Sequence, residues 1–293
     1  MDKVFPLPNW AEVPDEAWEM APYRRLVELK GKEPYAYMPF EIVRAATEGK
    51  PLVDADNAGH RAVPEVSLAT LNVVHAPVAP LVVSTGWGDL AVFEKFLSWQ
   101  RAEDLTRYVA ITSGGGCSGM LSFTDDWIKK GAVSGTVSLA INIGKAILNA
   151  REKWGDPVAA ILKAAKGFKL FEGKIGGYTN EGRGSFVWGN AWIKGTGSDA
   201  GHTLKLWYKN ENQITWIDEK PYVTCPDPFT VVDSKTGEGL SNFRQAQWTP
   251  GREVTLWGMK SADLWRTERG LRIYNPKHFD FDMSYVPIEK KVK

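Results

Sequence analysis

Between Asp54 and Glu65 the chain sets Asp54, Asp56, His60, Arg61 and Glu65 in one polar, turn-rich stretch. Carboxylates and an imidazole this close in sequence can ligate a divalent metal, and Asp54, Asp56, His60 and Glu65 are the candidate ligands. The same groups can instead divide acid and base roles, where their surroundings separate their proton affinities. A third reading is architectural: the carboxylates cap main-chain N–H groups and Arg61 pairs with one of them. The pattern Asp-x-Asp-x-x-x-His-Arg-x-x-x-Glu matches no strong metal motif, so the residues leave all three readings open, and metal content with them.

Two further groups of residues have types suited to chemistry. In Ser113-Gly114-Gly115-Gly116-Cys117-Ser118-Gly119 the glycines allow main-chain N–H groups to converge on an anion. Cys117 or Ser118 could be a nucleophile beside a base. No Gly-Lys-Ser/Thr follows, so this is not a P-loop, and a plain turn fits equally well. In the second half, Asn210-Glu211-Asn212, Pro226-Asp227-Pro228 and Asp233 stand at expected strand ends, where short polar side chains either line a cleft or make turns. Asp233, followed by Ser-Lys-Thr-Gly, reads as a hairpin loop. His75 and His202 have no local partners in sequence, and a lone histidine is more often structural than catalytic.

The elements that must position these residues can be read in outline. A helix is expected from Asp15 to Lys30 with Gly31 as its stop, then a turn at Lys32-Glu33-Pro34, an extended Tyr35–Met38 and a helix over Pro39–Glu48. Pro51-Leu52-Val53 reads as a buried strand, placing Asp54–Glu65 just beyond a strand's carboxyl end, where open α/β sheets hold ligands. Leu81–Val83 reads as a strand, Leu90–Gln100 as a helix capped by Trp87-Gly88-Asp89, and Tyr108–Ile111 as a strand entering the glycine run. Helices follow at Thr124–Gly131, around Val137–Leu148 with apolar residues on one face, and from Asp156-Pro157 to Lys166.

Beyond Gly167 short β-branched and aromatic runs take over: Phe168–Ile175, Ser185–Ile193, Leu204–Lys209, Gln213–Ile217, Phe229–Asp233, Glu253–Trp257 and Leu271–Tyr274. The expected fold is therefore an α/β N-terminal domain over 1–166, followed by a β-rich, sandwich- or barrel-like domain over 167–293.

Composition narrows the function class. Lys and Arg number 36 against 35 Asp and Glu, with no basic stripe, which argues against a nucleic-acid partner. No apolar stretch reaches the length of a membrane span, the opening residues are not a basic, apolar leader, and Cys117 and Cys225 lie far apart. A reduced cytoplasmic protein is the expectation. The 13 tryptophans suggest a rigid β core or buried contacts with partner subunits.

In order along the chain, a set of short motifs resembles the S-methyl-thiohydantoin desulfurase family. They are Val53-Asp54-Ala55-Asp56 with Gly59, Arg61-Ala62 and Pro64-Glu65; Ser134–Ala140 with Ile143-Gly144-Lys145-Ala146; Phe171–Ile175; Asn210-Glu211-Asn212; Pro226-Asp227; and Val232-Asp233 with Thr236-Gly237. The ending Leu264-Trp265-Arg266-Thr267, Gly270-Leu271, Pro276, Phe279 and Tyr285-Val286-Pro287 completes the set. The family's glycine-rich opening segment is not recognised, so the chain looks like a shortened member, and His60 looks like an extra residue between Gly59 and Arg61.

The resemblance implies a hydrolase-like protein acting on amide, thioamide or enol-type carbonyl compounds. It also implies hydantoinase-type or carboxylase subunits as partners, with ATP used only through them, as in the small subunit of an acetophenone-carboxylase-like assembly. A stand-alone desulfurase or cyclic amidase and a non-catalytic accessory subunit are the alternatives. The expected catalytic groups are Asp54, Asp56 and Glu65 as acid, base or ligand, with Arg61 and Lys174 holding a developing negative oxygen or binding a carboxylate or phosphate. His60, Gly115, Gly116, Cys117, Asn210, Glu211 and Asp227 are expected to contact substrate. On this reading, Asp56→Asn abolishes turnover.

Overall fold

The computed structural model describes residues 21–31, 45–46, 49–115 and 117–292. The expected turn at Lys32-Glu33-Pro34, the extended Tyr35–Met38, nearly all of the Pro39–Glu48 helix, and Gly116 lie outside those residues. In chain order the elements begin α1 (Ala21–Lys30), β1 (Ala55–Asp56), α2 (Thr70–Val73), β2 (Leu81–Thr85), β3 (Leu90–Phe93), α3 (Trp99–Thr112), β4 (Cys117–Leu121) and α4 (Asp125–Gly131). They continue with β5 (Val133–Ser134), α5 (Thr136–Glu152), α6 (Pro157–Ala165), β6 (Phe168–Arg183), β7 (Phe186–Gly195), β8 (Thr203–Lys209) and β9 (Glu211–Ile217). The last are β10 (Lys220–Thr224), β11 (Phe229–Asp233), β12 (Glu253–Gly258), α7 (Asp263–Arg266) and α8 (Glu268–Ile273).

A small N-terminal part of helices and strands thus precedes a C-terminal part dominated by a curled seven-stranded antiparallel sheet, a half-barrel. The chain forms two compact units that interleave in sequence. One holds Met1–Val53, Glu65–Ala132 and Gly182–Phe186; the other holds Asp54–Pro64, Val133–Glu181 and Val187–Lys293.

In the first unit β3, β2 and β4 form a three-stranded sheet with β2 central and every β2 residue buried. Both pairings are antiparallel. Trp87-Gly88-Asp89 caps no helix. It turns a hairpin, with Gly88 at φ +91° and the Thr85 hydroxyl donating to the Asp89 carboxylate (2.7 Å), so Leu90–Phe93 is a strand. Tyr108–Ile111 belongs to α3, not to a strand. The Ser98 hydroxyl accepts the Arg101 N–H to start that helix, and Trp99, Ala102, Thr106 and Ala110 bury one face of it. Trp99, Ala102, Leu71, Ala76 and Val78 form this unit's core. Leu52 makes only an isolated bridge, so Pro51–Val53 is not a buried strand.

In the second unit the sheet order is β10-β9-β8-β7-β6-β12-β11. Its inner face buries Phe171, Ile193, Leu204, Leu206, Tyr208, Val231 and Leu256. Helix α6 starts as its Asp-Pro signature requires: the Asp156 carboxylate accepts the N–H groups of Val158 (2.8 Å) and Ala159 (3.0 Å). Its Val158, Ile161 and Ala165 pack on Val232 and Trp257. The expected strand over Leu271–Tyr274 is instead the end of α8, capped by the Thr267 hydroxyl.

Candidate functional site

The polar loop after β1 lies in the second unit, and local chemistry shapes it. Asp56 Oδ1 accepts the N–H groups of Ala58 (2.8 Å) and Gly59 (2.6 Å), which folds the chain back on itself. Gly59 has φ +83°, and a Cβ there would stand 2.7 Å from Nε1 of the fully buried Trp265, so only glycine fits. That indole N–H donates to the Ala58 carbonyl (2.9 Å) and pins the turn from the other side. Asp54 binds the start of α5: its carboxylate accepts the Ser138 hydroxyl (2.6 Å) and N–H (3.0 Å). The Ser138 hydroxyl, then the Ser138 N–H, hold the Asp54 carboxyl below its ordinary value.

The turn delivers Arg61 to the junction of β8 and β9. Arg61 Nη2 donates to the Asn212 carbonyl (2.8 Å) and to Gln213 Oε1 (3.2 Å), Nη1 reaches the Asp227 carbonyl (3.4 Å), and Nε donates to the Ala62 carbonyl (3.1 Å). The guanidinium also lies over the Tyr274 ring, 5.1 Å from its centroid. All four acceptors are neutral oxygens, so none offsets the arginine charge. Glu211 lies close enough to feel that charge. Burial pushes the Glu211 carboxyl up, and the cations of Arg61 and Lys209 oppose the rise.

Three polar atoms at this junction are buried without a hydrogen-bond partner among the described residues, Glu211 Oε2, Gln213 Nε2 and Asn242 Oδ1, and so is Nδ1 of His60, the chain neighbour of Arg61. The Gln213 side chain is oriented by its neighbours, because Oε1 accepts both Arg61 and the Tyr274 hydroxyl (2.8 Å), which turns the amide N–H groups elsewhere. Burial lowers the His60 imidazole below its usual value against the pull of Asp56, so the ring is neutral at neutral pH. Buried polar atoms without partners are costly, and an ordered water or a polar ligand at this junction would offset that cost. Asn242 braces the junction: its Nδ2 donates to the Asn210 carbonyl (2.8 Å) and to Asn212 Oδ1 (2.9 Å).

Of the candidate residues, Arg61, Asn210 and Glu211 come together here with the Asp227 main chain, and His60 directly precedes Arg61 in the chain. The Asp227 carboxylate is occupied elsewhere: fully buried, it accepts Ser261 N–H, Arg266 Nη2 (2.7 Å), the Tyr285 hydroxyl and Ile288 N–H. Asn210 serves the turn, with φ +54° and its Oδ1 accepting Val187 N–H. Asp54 and Asp56 have the architectural roles just described. Lys174 pairs across strands with Glu253 (3.2 Å) on an exposed surface.

The remaining candidates belong to the first unit. Glu65 is buried and accepts the Ser67 hydroxyl (3.1 Å). Gly115 follows the carboxyl end of α3, where carbonyls rather than N–H groups face outward, and its own carbonyl accepts the Ser185 hydroxyl. Burial raises the Cys117 thiol above its usual value, which disfavours a thiolate nucleophile. Among the described residues no three His, Cys, Asp or Glu side chains gather into a group able to hold a metal ion. No described helix is long and apolar enough to cross a membrane.

Sequence reasoning missed Gln213, Tyr274, Asn242 and the positions of Trp265 and Gly59 relative to one another. Gln213 carried a signal, a carboxamide at the head of the strand-forming run Gln213–Ile217 and directly after the Asn210-Glu211-Asn212 motif. Tyr274 carried none.

The comparisons with known proteins agree with this architecture. A crystal structure of a protein from Chromobacterium violaceum superposes with a TM-score of 0.73 at 20% identity, covering 94% of this chain and 78% of that one, which shows a shared fold. No curated protein matches the chain. Residues 14–95 match the S-Me-THD-like N-terminal domain and residues 98–288 the S-Me-THD-like C-terminal domain. The chain therefore belongs to the S-Me-THD-like, or S-methyl-thiohydantoin desulfurase-like, family.

Proposed function

We propose that the protein hydrolyses the carbon–sulfur bond of an S-methyl-thiohydantoin or a closely related cyclic amide derivative, acting without a partner. The observation that carries this reading is the Glu211 carboxyl, raised by burial beside Arg61, with Oε2 unpartnered and a neutral His60 next in chain to that arginine. A carboxylate of raised proton affinity is a better base for water, and its conjugate acid serves the leaving group.

Water adds to the ring carbon bearing the S-methyl group while Glu211 takes one of its protons. Collapse forms the carbonyl and breaks the C–S bond, so that one water proton ends on the ring nitrogen and the other on methanethiol. Arg61 supplies a fixed positive charge to the negative charge that builds during addition, and its cradle of carbonyls keeps it in place. The Gln213 N–H groups and the His60 ring are the remaining polar contacts available to the substrate. Membership of the S-Me-THD-like family supports the substrate class.

The test is the purified chain alone, incubated with an S-methyl-thiohydantoin while free thiol is measured. Stoichiometric methanethiol and a ring carbonyl product are expected. No thiol from the pure chain, but thiol or ATP-dependent carboxylation once hydantoinase-type subunits are added, would replace this reading with the multi-subunit assembly.

A further inference from the structure

We infer that Trp265 is a positioning residue for Arg61, acting through the indole hydrogen bond that fixes the Asp56–Gly59 turn. The ring is fully buried, yet its Nε1–H is spent on one main-chain carbonyl, Ala58, three residues before Arg61. The turn also closes on the indole edge, as the absence of room for a Cβ at Gly59 shows. From the other side Tyr274 stacks edge-on against Trp265 at 5.1 Å and also lies beneath the Arg61 guanidinium. One aromatic side chain therefore sets both the loop that carries Arg61 and the ring on which Arg61 rests.

Its sequence neighbour extends the device. Arg266 binds the buried Asp227 carboxylate (2.7 Å), while the Asp227 carbonyl accepts Arg61 Nη1. Trp265 and Arg266, adjacent on α7, thus hold the two surfaces between which Arg61 is stretched. A helix of one turn is poorly suited to independent stability, so its fixed place depends on these buried contacts and not on its own backbone bonds.

The inference extends the proposed reading, but its experiment measures a charge interaction and not turnover, so either can fail without the other. The Glu211 carboxyl is faced by Arg61 and Lys209, and the nearby Tyr274 phenol and Cys225 thiol stay neutral at acid and neutral pH. Any change in the distance between Arg61 and Glu211 therefore appears in the Glu211 titration.

The measurement is the carbon-detected NMR titration of Glu211 in the full chain, for wild type, Arg61→Gln and Trp265→Phe. Arg61→Gln sets the scale, and its Glu211 midpoint is expected to rise because a cation is removed. Trp265→Phe keeps an aromatic ring and deletes the N–H, and its midpoint is expected to rise in the same direction. A structural role alone lowers Tm and leaves the Glu211 midpoint at the wild-type value; that result, or an unmoved midpoint in Arg61→Gln, overturns the inference. If Trp265→Phe does not fold, Gly59→Ala, which presses a methyl on the same indole, gives the same reading with the same two outcomes.

Discussion

Replacing Gly59 by alanine separates backbone strain from contact, because a second glycine provides the control. Gly59 (φ +83°) and Gly135 (φ +79°) share the left-handed conformation and belong to the same compact unit. A Cβ at Gly135 meets nothing within 4 Å, whereas at Gly59 it would stand 2.7 Å and 2.9 Å from Nε1 and Cδ1 of Trp265 and 3.3 Å from the Ala262 Cβ. Left-handed strain costs both variants about 1–2 kcal/mol. Gly59→Ala additionally overfills a packed site, at about 1–3 kcal/mol, and displaces the Trp265 to Ala58 hydrogen bond, at about 0.5–1.5 kcal/mol. Gly59→Ala should therefore lose about 1.5–4.5 kcal/mol more than Gly135→Ala, the sum of the last two costs. Urea unfolding followed by tryptophan fluorescence reads the difference as a shift in midpoint at constant slope. Equal losses in the two variants would refute the claim that Trp265 closes on the turn.

Glu289, bonded to Arg266, has its carboxyl held down at about 2 against an ordinary 4.5 by that hydrogen bond. A depressed carboxyl stabilises the fold above pH 4.5 and loses that contribution as pH falls toward about 2, so Glu289→Gln should show a shallower loss of stability across this window in urea titrations at stepped pH; an unchanged slope would contradict it. Burial raises both thiols, Cys225 to about 12, so in the native protein at pH 7 iodoacetamide should leave Cys225 unmodified and label half-exposed Cys117 slowly; intact-mass analysis showing rapid labelling of either would contradict it.

Much of the second unit was legible because its strands are short, aromatic or β-branched and bounded by turn residues; Phe229–Asp233 is where the pattern placed it. Asp156-Pro157 specified its helix start through the same capping bonds that make the pair a signal. Tyr108–Ile111 misled because a β-prone tetrapeptide carries less information than the Ser98 cap and the buried face of the helix that contains it. Leu271–Tyr274 misled likewise, since Thr267 begins a helix ahead of it.

At the site, the sequence marked segments whose side-chain bonds only the structure shows. Asp54 and Asp56 look the same in sequence whether they bind substrate or cap N–H groups, and the bonds to Ser138, Ala58 and Gly59 are visible only in the structure. Arg61 and Asn210-Glu211 were both marked, but their meeting depends on the β8–β9 register, which no local pattern encodes.

The central claim is that Glu211, and not the acidic pair of the preceding loop, moves the proton. It is tested most directly by the rate of methanethiol release from an S-methyl-thiohydantoin in Glu211→Gln and Asp56→Asn. Asparagine at 56 keeps an oxygen for the Ala58 and Gly59 N–H groups, so that variant should stay within about two-fold of wild type, while Glu211→Gln should lose about 100-fold or more in kcat with its fold intact. Retained turnover in Glu211→Gln together with loss in Asp56→Asn would contradict the account.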